Sequence, residues 1–184
     1  MDRRQRKTRA AIFNALIDLL GQQDFSRITV EQIIQKADIG RATFYAHFET
    51  KDFLLKAFCR ELFCHILDAA QPKETDHDHI FSCDAPDSVF LHLFQHLQKN
   101  DNHILQLLSR QNNGLFQAYF QEELQQLVRW QLPLFESRKD PRLPTDFWVA
   151  YIAATFVQTL RWWISTGLQD TPETVTEYFF LAVS

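Results

Sequence analysis

Apolar residues recur through most of this chain at the three- and four-residue spacings of a helix. Ile12, Leu16, Leu19 and Leu20 share one stripe at i, i+4, i+7 and i+8, which predicts a first helix over about residues 4–20, ended by Gly21. Thr29 and Gln32 have the spacing of a capping box, and Ile33, Ile34 and Ala37 form the apolar face of the second helix they open. The stretch "ADIG" (37–40) is too short for anything but a tight turn, and residues 41–48 form a third, short helix. Three short helices joined in this way make a helix-turn-helix unit.

A longer helix is predicted over about 51–70, where Phe53, Leu54, Ala57, Phe58, Leu62 and Ile66 keep one face apolar. "QPKETDHDHIFSCDAP" (71–86) breaks the pattern with prolines and charges and reads as a loop. Helices then follow at about 87–99, 102–110, 115–138, 144–167 and 172–183, with Pro133 kinking or ending the third of these. Thr171, Pro172 and Glu173 form a helix start: a capping hydroxyl, a proline in the first turn and an acid near the positive end of the dipole. The expected fold is all-α, with about nine helices. Residues 1–50 form a three-helix domain and 51–184 a helical body, linked by the 51–70 helix.

Two of these helices have unusual surfaces. The 144–167 helix is apolar nearly all round (Trp148, Tyr151, Phe156, Leu160, Trp162, Trp163), so it is covered on several sides, and one side suits a second copy of the chain. On a wheel at about 100° per residue, the 41–48 helix points Phe44 and Phe48 inward and Ala42, Thr43 and Ala46 outward. Tyr45 and His47 occupy the flanks, with Arg41 beside Tyr45. Such a surface suits the DNA major groove: small residues let the backbone approach base edges, and Ala42 or the Thr43 methyl meets a thymine methyl. Tyr45 and His47 then reach phosphates on opposite walls, while Thr29 and Lys51, at the starts of their helices, add a helix N-terminus and a cation.

Charge strengthens that picture. The whole chain has a pI near 5.9, which argues against a polyanion partner until the halves are separated. Residues 1–60 hold eleven Lys/Arg against seven Asp/Glu, a net of +4, whereas 61–184 hold eight against sixteen, a net of −8. A basic head and an acidic body meet different partners. Cys59, Cys64 and Cys83 are an odd set that suits reduced thiols of a cytoplasmic protein. Asn14 and Asp18 interrupt any signal-peptide core, and the most apolar stretch, at 149–164, carries Gln158 and Arg161, so no membrane association is expected.

The clustered residues also resemble a known family. "TRAAIFNALIDLL", "FSRITVEQI", "ADIGRATFYAHF" and "KDFL", within residues 4–58, are similar to the DNA-binding domain of TetR-family bacterial transcriptional regulators. The resemblance implies that Arg41, Ala42 and Thr43 approach bases, that Thr29, Tyr45, His47 and Lys51 hold the backbone, and that Arg3, Arg4, Arg6 and Lys7 form a basic arm. Two positions depart from the common pattern: Asp38 stands where the turn often has glycine, and Gly40 where the third helix often has a serine or threonine cap. Aspartate tolerates the left-handed conformation, and glycine is a weaker but acceptable cap.

"WWISTGLQDTPETVTEYFF" (162–180) resembles the last two helices of such regulators, which implies a homodimer through about 144–167 and 172–183 on an inverted-repeat operator. The resemblance further implies an inducer pocket among the middle helices, for which Phe90, Phe94, Phe116, Tyr119, Phe120 and Trp130 are the aromatic candidates, although their spacings equally suit a packed core. No residue names the effector. His77, His79 and Cys83 in the loop, and His92 with His96 one helical turn apart, have spacings that bind zinc. Asp76 and Asp78 make that loop a solvated one, and His92 and His96 fall at the edge of an apolar face, so neither a metal nor a cofactor is assigned. Neither a nucleophile elbow nor a glycine-rich phosphate loop supports an enzyme. The expectation is a DNA-binding regulator, a repressor released by a small molecule, with an activator whose body binds a protein as the alternative.

Overall fold

A computed structural model of the chain describes residues 3–69, 88–100, 108 and 114–183. Its α-helices are α1 (Arg3–Gln22), α2 (Val30–Ala37), α3 (Arg41–His47), α4 (Lys51–Ala69), α5 (Val89–Asn100), α6 (Gly114–Trp130), α7 (Thr145–Ser165) and α8 (Pro172–Ala182). Short 3₁₀ helices span Phe25–Arg27 and Leu132–Arg138. The described residues contain no strand, as an all-α chain requires. The expected loop at 71–86 lies outside them, as does the helix at 102–110 apart from the helical Leu108.

Local chemistry sets several boundaries. The Thr29 hydroxyl accepts from the Gln32 amide at 3.2 Å, while Gln32 Oε1 accepts from the Thr29 amide at 2.9 Å. This closes the capping box at the start of α2. The same helix ends in a Schellman turn, with Ile39 N–H donating to the Ile34 carbonyl and Asp38 N–H to that of Gln35. Asp38 takes the left-handed conformation that this turn requires (φ 52°). α7 ends in the same way, with Gly167 at φ 74°. Thr171 caps α8 through the Thr174 amide. Two expectations need correction. Gly21 does not stop α1, which accommodates it within the last turn and runs on to Gln22. The helix expected over 115–138 is α-helical only to Trp130; Pro133 then sits in the first turn of a separate 3₁₀ helix.

Phenylalanine fills both halves of the core. In the head, Phe13 lies 5.6 Å from Phe48 and 5.9 Å from Phe58, ring centre to ring centre. In the body, Phe94 stacks on Phe156 at 4.4 Å, and Phe90 lies 5.1 Å from Phe179. Burying one such ring is worth about 1.5–3 kcal/mol. α4 belongs to both clusters, since Phe58 meets Phe13 while Phe63 meets Phe120 at 5.1 Å. No described helix is long and apolar enough to cross a membrane.

Candidate nucleic-acid interface

α3 is a seven-residue helix that buries Phe44 and leaves the rest outward. Phe44 and Phe48, 6.2 Å apart, root it in the head core. Arg41, Ala42, Thr43, Tyr45 and Ala46 are exposed and His47 is half-buried, so the outer surface has the composition expected from the wheel. Gly40, extended at φ −77° and ψ 153°, precedes the helix without a side-chain cap. A Cβ at Gly40 would meet Thr43 Oγ1 at 3.7 Å, an ordinary contact, so the site has room for a larger residue.

Each flanking side chain has a neighbour that orients it. Tyr45 stands edge-on to Phe44 at 5.4 Å while remaining 45% exposed. The Arg41 guanidinium sits 5.7 Å from the Tyr45 ring centre, and its Nη1 lies 3.6 Å from Glu31 Oε2. His47 lies 6.2 Å from the Phe48 ring. The helix thus presents a guanidinium, two small residues, a threonine, a phenol and an imidazole on one outer surface, a set able to read base edges and grip phosphates.

The structure gives Lys51 and the basic arm a different occupation, and gives Thr29 the cap expected of it. Lys51 Nζ donates to the carbonyls of Phe25, Ser26 and Ile28 at 3.0, 3.3 and 2.8 Å, and lies 4.7 Å from the Phe25 ring centre. Its three N–H donors are engaged there, so it pins the turn ahead of α2 rather than offering a free cation. The exposed Thr29 holds the capping box. Arg3, Arg4, Arg6 and Lys7 are the first turns of α1 itself, not an arm ahead of it. Sequence reasoning also missed two residues. Arg9 packs over the rings of Phe13 and Phe48 at 4.9 and 5.1 Å and lies 3.7 Å from Glu61. Glu31 is the partner of Arg41. Arg9 and Phe13 share α1 one helical turn apart, whereas Phe48, Glu61 and the pairing of Glu31 with Arg41 lie across elements and give no signal at helical spacing.

In the body, Phe90, Phe94, Phe116 and Phe120 are wholly buried in ring-to-ring contact. Tyr119 is half-buried, with the Lys56 ammonium 5.5 Å from its ring centre, and Trp130 is exposed. Four of the six candidates thus pack in the core, while Tyr119 and Trp130 reach the surface. A groove of about 770 Å³ opens instead on the outer face of α7 and α8, lined among others by Tyr151, Thr155, Gln158, Thr159, Trp162 and Tyr178. His92 and His96 are core residues, each 2% exposed, which corrects their reading as boundary side chains. Burial, with His92 adding to it, lowers the His96 pKa to about 4. His77, His79 and Cys83 lie outside the described residues, among which no cluster of three metal-ligating side chains occurs. Cys59 is a buried thiol, and Cys64 is exposed.

A capped α2, a left-handed Schellman turn and an α3 with an exposed outer face form the helix-turn-helix of a DNA-binding protein. Residues 12–58 match "Bacterial regulatory proteins, tetR family", and residues 84–183 match the TetR "Transcriptional regulator C-terminal region". The chain belongs to the TetR family of transcriptional regulators. Among solved structures it is similar to a TetR transcriptional regulator from Streptococcus agalactiae 2603V, at 31% identity and a TM-score of 0.70, over 100% of this chain and 97% of that one. It shares its fold with NalD, the secondary repressor of the MexAB-OprM multidrug efflux pump in Pseudomonas aeruginosa (18% identity, TM-score 0.61, 97% and 94% covered). The HTH-type transcriptional regulator YxbF of Bacillus subtilis (strain 168) is 39% identical over 79 residues, 40% of this chain but only 21% of that protein's length.

Proposed function

We propose that the protein is a cytoplasmic homodimeric repressor that holds an inverted-repeat operator until a small molecule taken up by its body releases it. The observation that carries the reading is α3, a helix with an exposed outer face followed almost at once by α4, whose far half is packed into the body. In this reading residues 1–50 bind DNA, with Arg41, Ala42 and Thr43 at base edges and Tyr45, His47 and the start of α2 at Thr29 on phosphates. Residues 51–184 pair and sense. Lys56 Nζ lies 3.2 Å from Glu122 on α6, so α4 is tied to the middle of the body by charge as well as by rings. An effector that displaces α6 shifts the spacing of the two heads away from the operator's pitch.

The outer face of α7 and α8 supports the pairing. Tyr151, Ala154, Gln158, Arg161 and Trp162 form one exposed stripe on α7, beside exposed Tyr178, Leu181 and Ala182 on α8. Leu181 is 72% exposed. A stripe this rich in aromatic and apolar residues suits a second copy, which would cover the groove and set two recognition helices in successive major grooves.

A second reading is favoured by the ring-filled middle of the body. It keeps the same head but makes the chain an activator whose body binds a protein.

The test is capture of genomic DNA on the purified protein, repeated with Tyr45→Ala. One enriched inverted repeat, lost in the variant, is the expected result. No enrichment by the unaltered protein at low or moderate salt sinks the operator reading. A reporter behind the captured sequence then separates the two readings, since loss of a repressor raises transcription and loss of an activator lowers it.

A further inference from the structure

The contact between α2 and the recognition helix concentrates opposite charge where a DNA-binding surface has reason to avoid it. Glu31, in the first turn of α2, brings its Oε2 to 3.6 Å from Arg41 Nη1, the first residue of α3. Both side chains are open to solvent, at 70% exposed for Arg41 and 59% for Glu31. The guanidinium is bounded on its other side by the Tyr45 ring, 5.7 Å from its carbon to the ring centre. Two residues, one on each helix, thus flank one arginine.

Helix electrostatics explain why the acid sits there. α3 has no acidic residue in its first turn, and its cap, Gly40, has no side chain. Arg41 therefore adds a positive charge to the positive end of the α3 dipole, an unfavourable place for it. Glu31 is favourably placed at the positive end of α2, and its carboxylate offsets the charge of Arg41 across the turn. An exposed pair of this kind contributes at most about 1 kcal/mol, little enough to be exchanged when a better partner arrives.

We propose that Glu31 is a positioning residue for Arg41, which it keeps paired in non-specific complexes and releases only to a base edge. The inference rests on α3 being the recognition helix. A paired Arg41 carries no net charge to a phosphate, so it adds nothing to the counterion release that drives non-specific binding. A guanine in the groove offers the guanidinium two acceptors in a fixed geometry, worth about 1–3 kcal/mol against a wrong base, enough to displace the exposed carboxylate. Glu31 then withholds one charge from non-specific contacts without itself touching a base, and the breaking of the pair tempers operator affinity by at least as much.

The experiment measures binding to a random-sequence duplex and to the captured operator across a salt series, for the unaltered protein, Glu31→Gln, Glu31→Asp, Arg41→Ala and the Glu31→Gln/Arg41→Ala pair. Glu31→Gln is expected to tighten non-specific binding about threefold or more and to steepen its salt slope by up to about 0.9, one further phosphate contact. Operator affinity should tighten by at least the same factor, because the pair no longer has to be broken, Glu31→Asp should behave as the unaltered protein does, and Glu31→Gln should have no effect once Arg41 is alanine. The same tightening in the Arg41→Ala background would mean that Glu31 merely repels DNA, and would overturn the proposal. An unchanged salt slope in Glu31→Gln would overturn it too. The random-sequence arm needs no operator, so failure to find an inverted repeat is distinguishable from failure of the ion pair.

Discussion

The ammonium of Lys51 lies 2.8 Å from the backbone carbonyl of Ile28, the residue that leads into the α2 cap. Lys51 opens α4, so this bond and its companions to Phe25 and Ser26 fasten the linking helix to the turn that aims the helix-turn-helix. Hydrogen bonds from a charged donor contribute about 1.5–3 kcal/mol. Lys51→Met should lower the unfolding free energy by an amount in that range, measured by denaturant titration. It should leave the salt slope of DNA binding unchanged; a slope reduced by about 0.9 would show that the ammonium serves a phosphate instead.

Adjacent positions on α3 should respond in opposite ways. Phe44 is wholly buried against Phe48, so Phe44→Ala should cost about 3–5 kcal/mol and unfold the head in a thermal melt. Tyr45→Phe keeps the edge contact to Phe44 and the ring beside Arg41, and loses only an exposed hydroxyl. Its melting temperature should stay within about a degree of the unaltered protein, while operator affinity falls several-fold if the phenol grips a phosphate.

What the sequence made legible was mostly what short-range chemistry decides. The capping box at Thr29 and Gln32, the left-handed Asp38 and the Thr171-Pro172 start depend on residues within a turn of one another, and each is present in the structure. The inward and outward faces of α3 were also readable, because a seven-residue helix rooted by Phe44 and Phe48 has little freedom in how it sits. Lys51, Arg9 and Glu31 were not readable in the roles they hold. Apart from Phe13, one turn from Arg9 on α1, their partners lie across turns or on other helices, and only tertiary packing brings them together. The same limit applies to His92 and His96. Periodicity placed them at the edge of a face, but α5 packs against both α4 and α8, so that edge is interior.

The α7–α8 face offers a test of pairing that leaves the protomer's fold alone. Ala154 and Trp162 are exposed, and both line the groove. Ala154→Arg or Trp162→Arg would set a charge against its own image across a two-fold axis. Sedimentation equilibrium should show a monomer with an unchanged helical signal, and operator affinity should fall by at least tenfold because each head then binds a half-site alone. A dimer that persists in both variants would place the interface elsewhere.

The two thiols of known environment predict contrasting reactivity. Cys59 is buried, and burial together with the nearby Glu123 carboxylate pushes its pKa far above the ordinary thiol value, so almost no thiolate is present at neutral pH. Cys64, five residues further along α4, is exposed. Iodoacetamide should label Cys64 in the native protein within minutes and leave Cys59 untouched until denaturant is added, as read by peptide mass mapping. Equal labelling of the two would show that α4 opens from α6 far more readily than its packing implies.

His96 should make the body sensitive to mild acid. Its folded-state pKa is lowered from 6.5 to about 4 by burial and by His92, so the native protein holds it neutral. The unfolded chain binds the proton first as pH falls, which means that this contribution to stability is fully present above about pH 6.5. It is lost progressively between about pH 6.5 and 4 and does not decline further below that. A depression of this size corresponds to a loss of up to about 3 kcal/mol. Denaturant titrations at pH 7.5, 6, 5 and 4 should therefore show a falling midpoint. His96→Gln, which carries no titrating group, should flatten much of that fall even if it lowers stability at neutral pH. A pH profile that stays equally steep in the variant would assign the acid sensitivity to other groups.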